Sequence, residues 1–229
     1  VGLSVLAASL LRFSVDHGVV RTRISEDGIR AALGITAFWV IAGLRMAFVS
    51  SGNRQGNWVF RIVHGRPENF AAAVQLSAAA RKWVMMWAGT LTLIVGVGLW
   101  TVSPGSMRTL AATAAQFLVG AAMCVLLTDI LFLNITTVAF TGEPERGEPN
   151  LAFTVLKYFT FFPVVAALPS YVEPWMEMSL RHLIAAVVIT AGSHIALRVR
   201  HRENLRQHCN LPGLEDDEED FPMKLGLRY

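Results

Sequence analysis

The first residue in this chain to raise a chemical question is a carboxylate at the edge of a long apolar run. Asp129 follows an uncharged stretch from Thr109 to Thr128, and apolar residues continue beyond it to Phe140. An ionised carboxylate in hydrocarbon is costly and is retained for ion pairing, proton transfer or substrate contact. Depth decides among these. On a helix that starts at Thr109, Asp129 lies about 30 Å along the axis, back at a membrane interface. The expected role is therefore an interfacial carboxylate that ends the span, ahead of a proton relay. Lys157, six residues into the next apolar run from Leu151, is the counter-ion that position along the chain offers.

Other polar side chains recur at helical spacing. Gln116 and Asn134 are eighteen residues apart, about five helical turns, so they fall on one face with Gly120 and Met123 nearby. Such a stripe could line a polar path, but helix–helix packing in lipid uses the same residue types, and packing is the stronger expectation. His194, His201 and His208 recur every seven residues, and Cys209 follows the last. They would share a helix face, yet steps of about 10.5 Å are too long for neighbours to hold one metal ion. Arg198, Arg200 and Arg202 crowd the same stretch, which reads as a basic juxtamembrane helix attracted to anionic lipid. Cys124, mid-span, reads as a small buried hydrophobe and Cys209 as a free thiol, with no disulfide between them.

Several signatures are missing. The chain has no GxxxxGK[ST] or GxGxxG phosphate loop, no HExxH and no GxSxG. No catalytic, cofactor-binding or metal-binding residue set can be assigned, and an ATPase is excluded. Net charge is +3 and the pI about 9.2. No basic stripe interleaved with aromatics lies outside the apolar runs, so nucleic acid is not an expected partner.

The elements that must position these residues are helices. The chain has 229 residues, 53% hydrophobic and only 16% charged, with a mean hydropathy of +0.46. Soluble domains carry about 25% charged residues and spread them along every element; here they cluster between long uncharged runs. In a bilayer every backbone amide must be paired internally, so only helices or a closed barrel can cross. The runs are continuous rather than alternating, which leaves helices. A span takes about 20 apolar residues. Trp83–Met107 and Thr109–Thr128 meet that test without a charge, and Pro104–Gly105 between them marks a hairpin. Ala31–Val49, Leu151–Ser170 (with a kink expected at Pro163) and Leu183–Leu197 are three further spans, and Val1–Phe13 reads as the tail of a sixth. The expected fold is all-α, a polytopic transmembrane helix bundle of about five complete spans plus a partial N-terminal one. It would occupy residues 1–200, with a tail over 201–229, its acidic Glu215–Asp220 cluster expected to be flexible. The opening at Val1 inside an apolar run suggests a piece of a longer protein.

Orientation follows from Lys and Arg. Arg21, Arg23, Arg30, Arg108 and Arg181 fall on one side. The 51–82 and 141–150 loops and the tail, on the other side, carry twelve: Arg54, Arg61, Arg66, Arg81, Lys82, Arg146, Arg198, Arg200, Arg202, Arg206, Lys224 and Arg228. That side, and the C-terminus with it, is expected in the cytoplasm of a bacterial inner membrane. Within the 51–82 loop, an amphipathic helix opening at Pro67 would rest on the inner membrane surface. Alternatively it would contact a separate ATPase through Trp58, Arg61 and Arg66.

The stretch DILFLNITTVAFTGEPERGEPNLAFTVLKYFTFFPVV, with NWVFRI upstream, resembles uncharacterised bacterial polytopic permease-like membrane proteins, over most of residues 45–165. Those are in turn likened to the membrane subunits of ABC-2-type exporters. The resemblance implies transport, and no catalytic residues come with it. Three readings follow. One is an inner-membrane permease-like subunit that works with a separate ATPase, on its own or as a homo-oligomer in the lipid bilayer. Another is a membrane enzyme at the inner interface, for which Asp129, His64 and His194 would have to converge. The third is a structural or regulatory protein that recruits partners through its loop and tail, and loses them on truncation after Leu211.

Overall fold

A computed structural model describes residues 2–16, 19–49, 70–103, 105, 109–133 and 151–209. Among them α1 (Gly2–Leu10) leads into a hairpin of β1 (Leu11–Asp16) and β2 (Val19–Ile24). Five longer helices follow: α2 (Glu26–Val49), α3 (Phe70–Val102), α4 (Leu110–Leu131), α5 (Leu151–Glu177) and α6 (Leu180–Cys209).

The architecture is helical, as expected, apart from the hairpin. There the expectation of a helix through Val1–Phe13 fails, because α1 stops at Leu10. LRFSVD and VVRTRI are rich in β-branched and alternating residues, which favour strands, and they pair antiparallel from Leu11↔Ile24 to Asp16↔Val19. The Ser25 amide donates to the Leu10 carbonyl at 2.9 Å and closes the base. Immediately after it α2 crosses the end of α1. A side chain at Gly28 would come within 2.1 Å of the Ser9 carbonyl oxygen, so only glycine permits that crossing.

Helix α2 is the centre of the bundle, packed by α1, α3, α4 and α5. A helix apolar all round is a buried helix, and Ile29, Ala32, Leu33, Ile35, Ala37, Phe38 and Ile41 are all buried. Phe38 packs edge-on to Tyr158 and lies 5.4 Å from Phe162, so the aromatic run of α5 closes on α2. The α3–α4 hairpin forms as the uncharged runs predicted, with Thr109 Oγ1 accepting the Ala112 amide as the N-cap of α4. At its other end α3 begins at Phe70, so residues 70–82 of the expected loop are its first turns. The Ala-rich sequence there contains no proline or glycine to interrupt it. Helix α6 likewise runs on to Cys209, carrying buried His201 and Leu205 into what was expected to be tail.

Among the described residues, four helical stretches are long and apolar enough to cross a membrane: Glu26–Ala47, Ser77–Val102, Leu110–Leu131 and Leu180–Gln207. The Leu151–Ser170 run is helical but not among these four, and α5 continues through Pro163, Pro169 and Pro174. On α3 and α6, Trp87, Leu93, Ile94, Val188, Ile189 and Ile195 are exposed. Apolar surface of this extent belongs against lipid. The protein is a multi-pass helical membrane protein.

Candidate functional site

The site grows from three helices that meet at the arginine-rich end of the bundle. On α3 and one residue past its end, the buried positions are Arg81, Val84, Ala88, Thr92, Gly96, Leu99 and Ser103, spaced by threes and fours. That is one helix face, and Arg81 is its first member. The guanidinium, 4% exposed, is held inside the bundle, with Nε donating to the Ser77 carbonyl at 3.4 Å.

Asp129 arrives from α4. It lies in the last turn, where unpaired carbonyls already present negative charge, so a carboxylate there needs cations from other elements. It is 1% exposed, and its Oδ2 is hydrogen-bonded to Nδ1 of His194 on α6. The carboxylate accepts, so Nδ1 carries the proton and fixes the orientation of the imidazole. Seven residues on, His201 is also 1% exposed and donates from Nδ1 to the Leu133 carbonyl at 2.8 Å, beyond the end of α4. Both rings therefore lie on one face of α6, as their spacing predicted, and that face is turned to α4. Arg81 lies within electrostatic reach of Asp129, Arg198 and Arg202. One carboxylate thus shares the region with three guanidinium groups. Asp129 Oδ1, Arg81 Nη1, Arg198 Nε and His201 Nε2 are all buried without a hydrogen-bond partner.

The other predicted residues divide. Lys157 is exposed, and the bonded partner of Asp129 is His194. Helical position along α5 says nothing about which neighbour Asp129 faces. The interfacial reading of Asp129 also changes, since its carboxylate points into protein rather than toward headgroups. Gln116 is buried at 2% exposure, about 20 Å along α4 from Asp129 and outside its cluster. Buried Gly120 lies against Leu33 and Thr92, which is the packing role expected of that stripe. Cys124 is buried and its thiol lies 3.4 Å from the Thr92 hydroxyl. Asn134, Trp58, Arg61, Arg66 and His64 lie outside the described residues. Among the described residues no group of three His, Cys, Asp or Glu could hold a metal ion.

Arg81 was counted in the sequence only toward orientation, and its signal was its register with the small and apolar stripe that follows it. His201 was noted for its heptad spacing from His194 but read as part of a basic juxtamembrane helix.

A second polar group closes the opposite end. Arg30, on α2, hydrogen-bonds to Glu177 and, at 3.4 Å, to Glu173, and Glu173 is 1% exposed. Beside it Trp175 stacks on His182 at 4.6 Å across the α5–α6 turn.

A comparison of the chain with family models, curated proteins and solved structures finds no match.

Proposed function

We propose that this membrane protein is a permease-like, transport-associated subunit without an ATPase of its own. In this reading it sits in a bacterial inner membrane with its arginine-rich end and C-terminus in the cytoplasm, and the Asp129 cluster is the polar end of its path. One observation carries the reading. A buried carboxylate–imidazole pair lies near guanidinium groups that have unused donors, at the arginine-rich end of the bundle. Ionisable groups placed this way in membrane bundles serve substrate and ion pathways. The lysine and arginine distribution supports the orientation. An ATPase would contact the segment holding Trp58, Arg61 and Arg66.

The test is what leaves the membrane with the full-length protein in mild detergent. A stoichiometric ATPase is expected, and lost when Arg61 and Arg66 are changed to glutamate. Its absence under conditions that keep transporters assembled would overturn the ATPase-coupled reading.

A second reading rests on the contact between Asp129 and His194. An Asp-oriented imidazole is the acid–base unit of many enzymes, and those two were among the three residues an interfacial enzyme would need to bring together. Turnover that disappears in His194→Gln while the fold survives would favour it.

A further inference from the structure

The far end of the bundle holds one more carboxyl group than Arg30 can pair. Glu173 and Glu177 lie about one turn apart on α5, and both meet the same atom of α2. Arg30 Nη1 is 2.5 Å from Glu177 Oε1 and 3.4 Å from Glu173 Oε2. The guanidinium is thus committed to Glu177, and Glu173 keeps only a contact at the outer limit of a hydrogen bond. Its other oxygen, Oε1, is buried with no partner. The Glu173 side chain is 1% exposed, against 26% for Glu177. An ionised carboxylate so placed keeps a charge from water with one of its oxygens unsatisfied. A protonated one leaves a single hydroxyl unpaired, which costs far less.

The elements packed on α5 are α2, α4 and α6. Besides Arg30, α2 carries Glu26 and Asp27 one turn earlier, and the first turn of α6 carries exposed Arg181 and His182, whose ring stacks on Trp175. The N-terminal half of α4 has no ionisable side chain. Among the described residues, only Arg30 hydrogen-bonds to the Glu173 carboxyl group.

We propose that Glu173 is a proton-binding site, occupied at neutral pH, and that its proton is what lets α5 close on α2 beside Arg30. A proton needs no cavity, and partly exposed Glu177, on the same Arg30 nitrogen, places the site near the surface. With the proton on, the group comprises one cation, one anion and one neutral acid, and its charge balances. With it off, two anions contend for one nitrogen. They do so about one turn from where Pro169 and the Val165 carbonyl bear on Gly34, so α2 and α5 have no slack there to spread the charges. Glu173 lies beyond the apolar run that ends at Ser170. Burial pushes its carboxyl up to about 8, an effect that Arg30 offsets only in part and Glu177 reinforces. The proton site goes beyond the permease reading and does not depend on an ATPase.

The experiment is infrared spectroscopy of the full-length protein in a detergent free of ester groups, titrated from about pH 5 to about pH 10. The C=O stretch of a protonated carboxyl group should persist at neutral pH and vanish with a midpoint near 8. Glu173→Gln, which has the shape of the neutral acid, should lack that band, and Asp129→Asn should keep it. Glu177→Gln should lower the midpoint by about one unit, a tenfold loss of proton affinity, and Arg30→Gln should raise it by as much. Thermal unfolding reads the coupling to packing. The folded state binds this proton more tightly than the unfolded chain. The stability it confers is therefore complete in acid, declines from about pH 4.3 upward and is lost through about pH 8. Between about pH 6 and about pH 8 the unmodified protein should lose melting temperature relative to Glu173→Gln. A titrating band that survives in Glu173→Gln, or no carboxyl titrating above about pH 6, would overturn the proposal. Melting curves that run parallel with pH would do the same. If Glu173→Gln does not fold, midpoints that fail to move in opposite directions in the other two variants overturn it.

Discussion

The two ends of the bundle handle buried charge in opposite ways. At one end Arg30 stands between Glu173 and Glu177, so carboxylates outnumber the cation and the guanidinium has its partners. At the other, one carboxylate shares its surroundings with Arg81, Arg198 and Arg202, and donors on Arg81 and Arg198 are left unused. The first is a clamp between α2 and α5. The second leaves donors of two guanidinium groups and one carboxylate oxygen without partners, whereas in the clamp the guanidinium is engaged and the unpartnered atom is Glu173 Oε1.

This contrast can be broken by substitution. The largest effect should come from Arg30→Met, which strands two carboxylates, one of them fully buried, and should destabilise the protein by roughly 3 kcal/mol, read by thermal unfolding in detergent. Asp129→Asn should cost about 2 kcal/mol in the same assay, because a charge-assisted bond to His194 becomes a neutral one. Arg81→Met should be neutral or stabilise the protein by about 1 kcal/mol, since an unpaired buried cation is replaced by packing atoms. Opposite signs for the two arginines are the essence of the comparison; a loss at Arg81 as large as at Arg30 would mean that both ends are clamps. Lys157→Gln should change stability by no more than about 0.5 kcal/mol, because its side chain is exposed. A larger loss would show that it supports Asp129 after all.

The membrane class and most helices were legible because lipid imposes a one-dimensional code: uncharged length is enough to find α3 and α4. The start of α2 was not. Arg30 looks like a loop charge until Glu173 and Glu177, more than 140 residues away, are folded beside it. The hairpin was missed for a different reason. VVRTRI alternates, but its Arg21 and Arg23 were counted only toward membrane orientation. Within the site, Asp129 and His194 were each visible as polar intruders in apolar stretches. Their pairing spans 65 residues and depends on how α4 and α6 rotate against each other. Helical periodicity fixes which residues share a face and leaves open which face meets which neighbour. The same limit explains the choice of Lys157 as counter-ion.

Helix α5 carries a consequence of a mechanical kind. Pro163, Pro169 and Pro174 each lack an amide hydrogen, so the carbonyls four residues earlier lose their usual intrahelical donors. One of these is Val165, whose oxygen lies 3.3 Å from where a side chain at Gly34 of α2 would begin, with Pro169 itself at 2.9 Å. The backbones of α2 and α5 are thus in direct apposition at the point where α5 has least internal bracing. A rod with rungs missing at intervals bends there first, and this one has its bare glycine bearing beside the central rung. The segment between the aromatic packing at Phe38 and the Arg30 clamp is therefore the compliant joint of the bundle, with a stiff fastening on either side.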